Sequence, residues 1–301
     1  MAVFNNVDYF KWLTVDLLGL LRCTSSADSN ALSGKSSPLF SKPFTRLRSP
    51  LAFLLPALLL SSPLLAGVTD IQDAINVSGK QRMLTQKIMG SYAMLGMNFQ
   101  PEKAKKRLQG SVALFDSQLA DLKSFSVNDK VKSQLDAVDK LWGPLKTQML
   151  AQPEKGKAVE LSKKIDALLA SSHKAVVLIT KASGGAAGKI VNLSGRQRML
   201  SQRMNSLYML RAWGVEGFDF NTAFNKSVDD FKAAQSILEG SELTTAEIKK
   251  KIDKTKRSFT WFARSAVKQS DVYVPALVLR AADRILKNMN DATNLYANLK
   301  K

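Results

Sequence analysis

The chain has 301 residues, 45% of them apolar, with 44 Lys and Arg against 25 Asp and Glu, a formal net charge of +19. That length fits about two domains, the apolar share is ordinary for a globular protein, and the charge favours anionic partners. A single cysteine, Cys23, and a single histidine, His173, exclude a disulfide framework and a thiolate or histidine metal centre, so no metal and no cofactor is expected.

Residues 1–50 are serine-rich and carry no hydrophobic period. They read as a poorly structured extension, or as the result of a start codon placed too far upstream. Residues 51–66 (LAFLLPALLLSSPLLA) are uncharged and apolar, preceded by Lys42, Arg46 and Arg48 and followed by Gly67-Val68-Thr69-Asp70. A basic start, a short apolar stretch and a small residue make a signal peptide cleaved after Ala66. The alternative is an uncleaved signal anchor, although a spanning helix needs ~20 apolar residues. Either reading exports the remainder, which is expected in the periplasm and holds 38 Lys and Arg against 22 Asp and Glu. Export argues against nucleic acid, as does the spread of basic residues over every helix.

Strand-like runs are few, prolines number nine, and Ala, Leu, Lys and Gln dominate long stretches, which favours helices. In chain order, helices are predicted over 70–97, ended by Asn98 and Pro101, and over 102–124, with Leu108, Val112, Phe115, Leu119 and Leu122 at helical spacing. The next two cover 129–150, with Gly143-Pro144 as a place to bend, and 156–181, carrying Val159, Ile165, Leu168, Leu169, Val176 and Ile179. A second set follows over 187–213, 221–238, 245–267 and 274–301, the last opened by Asp271 and Pro275.

The second set repeats the first. NVSGKQRMLTQK at 76–87 returns as NLSGRQRMLSQR at 192–203, an offset of 116 (192 minus 76), and the pairs Tyr92/Tyr208, Ser111/Ser227, Val112/Val228, Phe115/Phe231 and Leu122/Leu238 keep that register. The expected fold is all-α: two tandem up-down-up-down four-helix bundles, 70–183 and 187–301. They meet at Ser183-Gly184-Gly185. A sharp turn there sets the two first helices parallel, whereas a continuous helix stacks the bundles end to end; the turn is the preferred reading.

Much of the sequence has drifted between copies, but the polar Ser, Gly, Gln and Arg of the box have not, and a merely solvated helix face has no reason to keep them. The seam Ile71, Ile75, Ser78, Arg82, Thr85, Met89, Tyr92 corresponds to Ala187, Val191, Ser194, Arg198, Ser201, Asn205, Tyr208. The neighbouring seam Val77, Leu84, Ile88, Leu95 is the apolar one, which puts Arg82 and Arg198 at the border of the buried face. A buried guanidinium is costly without a negative partner, and its planar fork suits a flat oxyanion such as carboxylate or nitrate. Gly79 and Gly195 each cost about 1 kcal/mol against alanine in mid-helix, a loss offset where another helix or a ligand approaches closely. Ser78, Thr85, Ser194 and Ser201 are candidates for added hydrogen bonds to such a ligand. In the competing arrangement each arginine pairs with an acidic residue of its own bundle, such as Asp116, Asp136 or Asp166. Lys80, Lys87, Arg196 and Arg203 are expected in solvent. His173 takes the place of Asn290 in the other copy and is expected on a helix surface.

The box S-G-[KR]-Q-R-M-L-[ST]-Q resembles the first-helix signature of the N-terminal domain of type IV pilus methyl-accepting chemotaxis transducers. That domain is related to the periplasmic sensor domain of nitrate and nitrite sensor kinases. The resemblance covers about 70–301 as two copies and implies that Arg82 and Arg198 match an arginine that binds an anion across a dimer interface. Gly79 and Gly195 match the family's glycine, Met83 and Met199 its methionine. Gln81 and Gln197 depart from the apolar residue of the nitrate sensors, and the sensor helices run to Lys301, so no output domain is expected.

The function implied is that of an exported, non-enzymatic sensor. It would hold a small anion, nitrate-like or a carboxylate, between Arg82 and Arg198 across a pseudo-two-fold axis. The alternative is an interaction module docking on an envelope or pilus-associated chemosensory complex, with the arginines as internal salt bridges. Contact with a membrane is expected only through an uncleaved segment 51–66, apart from a minor electrostatic attraction to anionic lipid.

Overall fold

Asp70 opens the first helix by accepting the Asp73 amide on its carboxylate at 2.8 Å, a side-chain cap for one of the donors that a helix start leaves unpaired. Asn128 and Asp219 do the same for Val131 and Thr222, and Pro101 and Pro275 stand in the first turns of their helices, where a missing amide costs nothing. The computed structural model describes residues 67–267 and 273–299, so the extension 1–50, the signal-like segment 51–66 and Asp271 lie outside the described residues. The helices are α1 Ile71–Gly96, α2 Pro101–Phe125, α3 Asp129–Leu150, α4 Ala158–Ser183, α5 Ala186–Ala212, α6 Phe220–Glu239, α7 Ala246–Val267 and α8 Pro275–Ala297. Among the described residues there is no strand, and α3 continues through Pro144 as one helix.

In the first copy α1 packs on α2 and α4, and α4 on α3. Phe115 of α2 meets Trp142 of α3 with ring centroids 4.4 Å apart. The second copy repeats this, α5 on α6 and α8, α8 on α7, with Phe231 stacked on Phe259 at 4.1 Å. The spaced apolar residues of α2 are all buried; on α4, Ile165, Leu168, Val176 and Ile179 are buried while Val159 and Leu169 are half-buried.

Gly184 adopts φ 70°, a left-handed conformation that glycine tolerates without penalty, and the chain reverses there between α4 and α5. The most extensive interface among the described helices is then α1 against α5. The two run parallel, with Ile75 beside Gly188, Gly79 beside Gly195, Gly90 beside Ser206 and Gly96 beside Trp213. The described residues form a single compact unit, the copies lying side by side.

This placement buries α1 and α5 on every side. Between 74 and 94 only Lys80 and Lys87 are half-exposed, and every residue from 193 to 210 is buried. The sequence placed Arg82 and Arg198 at the edge of a half-solvated helix; that expectation is corrected, because the opposite copy covers the polar face. Gly96 shows how tight the contact is, since a Cβ there would run into the Trp213 ring. Gly96→Ala is expected to cost about 1–3 kcal/mol by overpacking, read as a lower urea midpoint at unchanged m-value.

Candidate functional site

Where α1 crosses α5, a methyl group added to Gly79 would lie 3.9 Å from the Gly195 Cα, 3.0 Å from Arg198 Nη2 and 3.5 Å from Arg82 Nη2. One added to Gly195 would lie 3.1 Å and 3.4 Å from the same two nitrogens. Both guanidinium groups therefore sit over both glycines, and the space a side chain would fill is where the two cations meet. Met83 and Met199, beside the arginines in the chain, are buried apolar residues.

The arginines cross reciprocally. Arg82 Nη2 donates to the Asn192 carbonyl at 3.1 Å and Arg198 Nη2 to the Asn76 carbonyl at 3.0 Å, so each box closes on the first residue of the other. The remaining arms differ. Arg198 Nη1 donates to Asn76 Oδ1 at 2.8 Å and Asn290 Oδ1 at 3.1 Å, while Arg82 Nη1 meets His173 Nδ1 at 3.1 Å. His173 and Asn290 thus hold equivalent places on α4 and α8, but the expected surface position of His173 is corrected: it faces the arginine pair. Burial pushes its imidazole down to about 3, with the Arg82 and Arg196 charges adding to the effect. The ring is neutral, and its Nδ1 accepts from the guanidinium.

Arg82 is 1% exposed and Arg198 fully buried. Burial lowers Arg198 to about 9, which leaves it charged at neutral pH. Its hydrogen bonds all end on neutral oxygens, and its Nε has no hydrogen-bond partner among the described residues. The acidic residues that the sequence offered as internal partners are engaged elsewhere: Asp116 with Lys146 and Trp142, Asp136 with Lys123, and Asp166 with Arg203 at 2.6 Å.

The four hydroxyls of the box are buried, and three of them have committed their protons. Thr85 and Ser201 donate to the carbonyls of Arg82 and Arg198, both at 2.8 Å, and Ser194 donates to Val191 at 3.1 Å; Ser78 is 1% exposed.

Several roles escaped the sequence. Gln81 Nε2 donates to the Phe115 carbonyl and Gln197 Nε2 to that of Phe231, each at 3.0 Å, clamping α1 to α2 and α5 to α6. Their identity in both copies was the available signal. Arg196 and Arg203, expected in solvent, are 5% and 6% exposed, and Lys80 and Lys87 are half-buried. Arg196 pairs with Asp230 at 3.2 Å, and Arg203 grips Asp166 with both terminal nitrogens, at 2.6 and 3.3 Å. The Arg107–Asp283 fork, at 2.7 and 3.0 Å, and the Arg203–Asp166 fork both tie one copy to the other. Asp166 and Asp283 share the one-residue slip of His173 and Asn290, an offset of 117 (283 minus 166).

Away from the pair, a surface cleft of about 200 Å³ is lined by Tyr208, Arg211, Phe220 and Phe224 among others. Among the described residues no cluster of His, Cys, Asp and Glu could hold a metal ion, and no helix is long and apolar enough to cross a membrane.

Residues 69–172 match the family described as the type IV pili methyl-accepting chemotaxis transducer N-terminal domain (PilJ). The match spans the first copy as far as Ser172 on α4 and relates it to the sensing and interaction modules of chemotaxis transducers. No curated protein and no solved structure matches the chain.

Proposed function

We propose that this chain is an exported, non-enzymatic sensor that holds one small planar anion between Arg82 and Arg198, building within one chain the kind of site that two receptor subunits share. The observation that carries this reading is Arg198, fully buried and charged, bonded only to neutral oxygens with a second guanidinium beside it. Two guanidinium charges over the same pair of glycines repel by a few kcal/mol at an effective dielectric of ~20. A shared anion reverses the sign of that interaction. Nitrate, nitrite and small carboxylates present the flat oxygen edges that guanidinium forks recognise. Gln81 and Gln197, bonded to α2 and α6, leave the choice of anion to the arginines. Export rests on the apolar run 51–66 behind a basic stretch, and the output passes to a chemosensory or pilus-associated envelope protein.

A second reading, the interaction module, is favoured by one specific observation: the arginine arms already reach the Asn76 and Asn192 carbonyls and hold the crossing together. Calorimetric titration of nitrate, nitrite and acetate into the intact chain separates the two. The sensor requires one anion per chain, loss of binding in both Arg82→Ala and Arg198→Ala, and about 2.7 kcal/mol of stabilisation at 100 times the dissociation constant. Two anions per chain, each removed only by its own mutation, would refute the shared site. Absence of binding by every anion would leave the interaction module.

A further inference from the structure

Helix α7 and its counterpart α3 share a core pattern but differ on the outside. Ile248, Ile252, Thr255, Phe259, Phe262 and Ala266 are buried at the places of Val131, Leu135, Val138, Trp142, Leu145 and Met149, an offset of 117 (248 minus 131) throughout. Opposite this buried line, α7 carries Lys250, Lys254, Arg257, Trp261 and Arg264, all exposed. The same places on α3 hold Ser133, Ala137, Lys140, Pro144 and Thr147. Since the cores coincide, the basic outer line is a property of the second copy and not of the fold.

Spacings of four, three, four and three residues put those side chains in one row. At ~1.5 Å per residue the row is about 21 Å long. None of its four cations forms an ion pair among the described residues, although their neighbours do: Lys249 with Asp253, Lys251 with Asp291 and Lys256 with Glu239. Three of the nearby carboxylates, Asp253, Asp291 and Glu239, are spent on these flanking lysines, and the exposed Glu247 stands one turn before Lys250, leaving four cations against one carboxylate along the row. Trp261, between Arg257 and Arg264, is 42% exposed, a large apolar surface with an indole N–H at one end.

We infer that this row is a docking surface for an anionic lipid bilayer. Side chains in one row on a straight helix can touch a plane together, and headgroup phosphates supply negative charge along its whole length. Tryptophan favours the headgroup level, where its ring is half dry and its N–H remains bonded. The helix does not insert, because its apolar side is used up in the bundle, so attachment is electrostatic and reversible. An acidic protein face could neutralise the same cations, but the uninterrupted row favours a flat partner. This inference is independent of the arginine pair.

The test uses the intact chain and the emission of Trp261, taken as the difference between the protein and its Trp261→Phe variant, so that attachment through another segment does not register. Vesicles of phosphatidylglycerol are expected to shift that emission to the blue. Phosphatidylcholine vesicles are not, and the shift is lost at about 0.5 M salt, where screening acts within ~4 Å. Each charge removed, as in Lys254→Gln or Arg257→Gln, should weaken partitioning about fivefold, and removal of all four several hundredfold. Lys140→Gln on α3 should leave it unchanged. The inference is overturned if phosphatidylglycerol leaves Trp261 unshifted, if the four-charge variant binds as before, or if soluble polyglutamate shifts the emission while vesicles do not. The last result would assign the row to an acidic protein.

Discussion

Acidification from pH 6.5 to 4.5 is expected to cost the protein about 2 kcal/mol of folding stability through His173 alone. Its imidazole titrates at about 3 in the folded chain against 6.5 in the unfolded one. Below pH 6.5 the unfolded chain therefore takes up a proton that the folded chain refuses, so stability is intact above 6.5 and falls steadily until about pH 3. The limiting slope is about 1.4 kcal/mol per pH unit. The causes are burial first, then the Arg82 and Arg196 charges, and protonation would also replace the ring nitrogen that accepts from Arg82 by a donor facing a donor. His173→Asn makes the first half-site a copy of the second, where Asn290 meets Arg198. Urea unfolding at a series of pH values should show the slope in the parent and its loss in the variant. Carboxylates whose pKa is lowered by lysine partners, Asp136 and Glu160 among them, contribute at lower pH in both proteins and cancel in the difference. An equal slope in both would mean that the half-buried His173 ring is neither desolvated nor held against Arg82 as described.

Asp166→Asn is the second large effect, about 2 kcal/mol, because it takes the carboxylate from the buried Arg203 guanidinium, with a part of the loss screened at the 28% exposed Asp166. Asp283→Asn breaks the other fork between the copies and should cost only about 1 kcal/mol, since Asp283 is 35% exposed and solvent screens the pair. Both forks cross from one copy to the other, and α1 packs against α5 along its length, so neither copy can lose its partner and keep its core. The two copies are accordingly expected to unfold in one transition in the parent and in both variants. Separate unfolding of the halves, or an Asp166→Asn midpoint equal to the parent's, would show that the interface between copies is weaker than its burial implies.

The helices were legible in the sequence because their signals are local. Caps such as Asp70, prolines such as Pro101, and the three-and-four spacing of Leu108, Val112 and Phe115 depend on neighbours within a turn or two. Internal duplication added one further inference, that Arg82 and Arg198 are a matched pair. Their surroundings were not legible. A helix bearing Gln81, Arg82, Gln86 and Lys87 has the polarity of a half-solvated surface helix, and only the packing of a second copy, 116 positions later in the chain (198 minus 82), removes its solvent. Spacing therefore determined which residues share a face of α1. The reversal at Gly184 and the close approach at Gly79 and Gly195 decided what covers that face. Once it is covered, the physical chemistry changes with it: Gln81 must find the Phe115 carbonyl, Arg203 must find Asp166, and His173 must give up its proton beside Arg82. Each of these pairings joins residues from different helices, and no local pattern encodes them, because burial is set by tertiary packing and the demand for partners follows from burial.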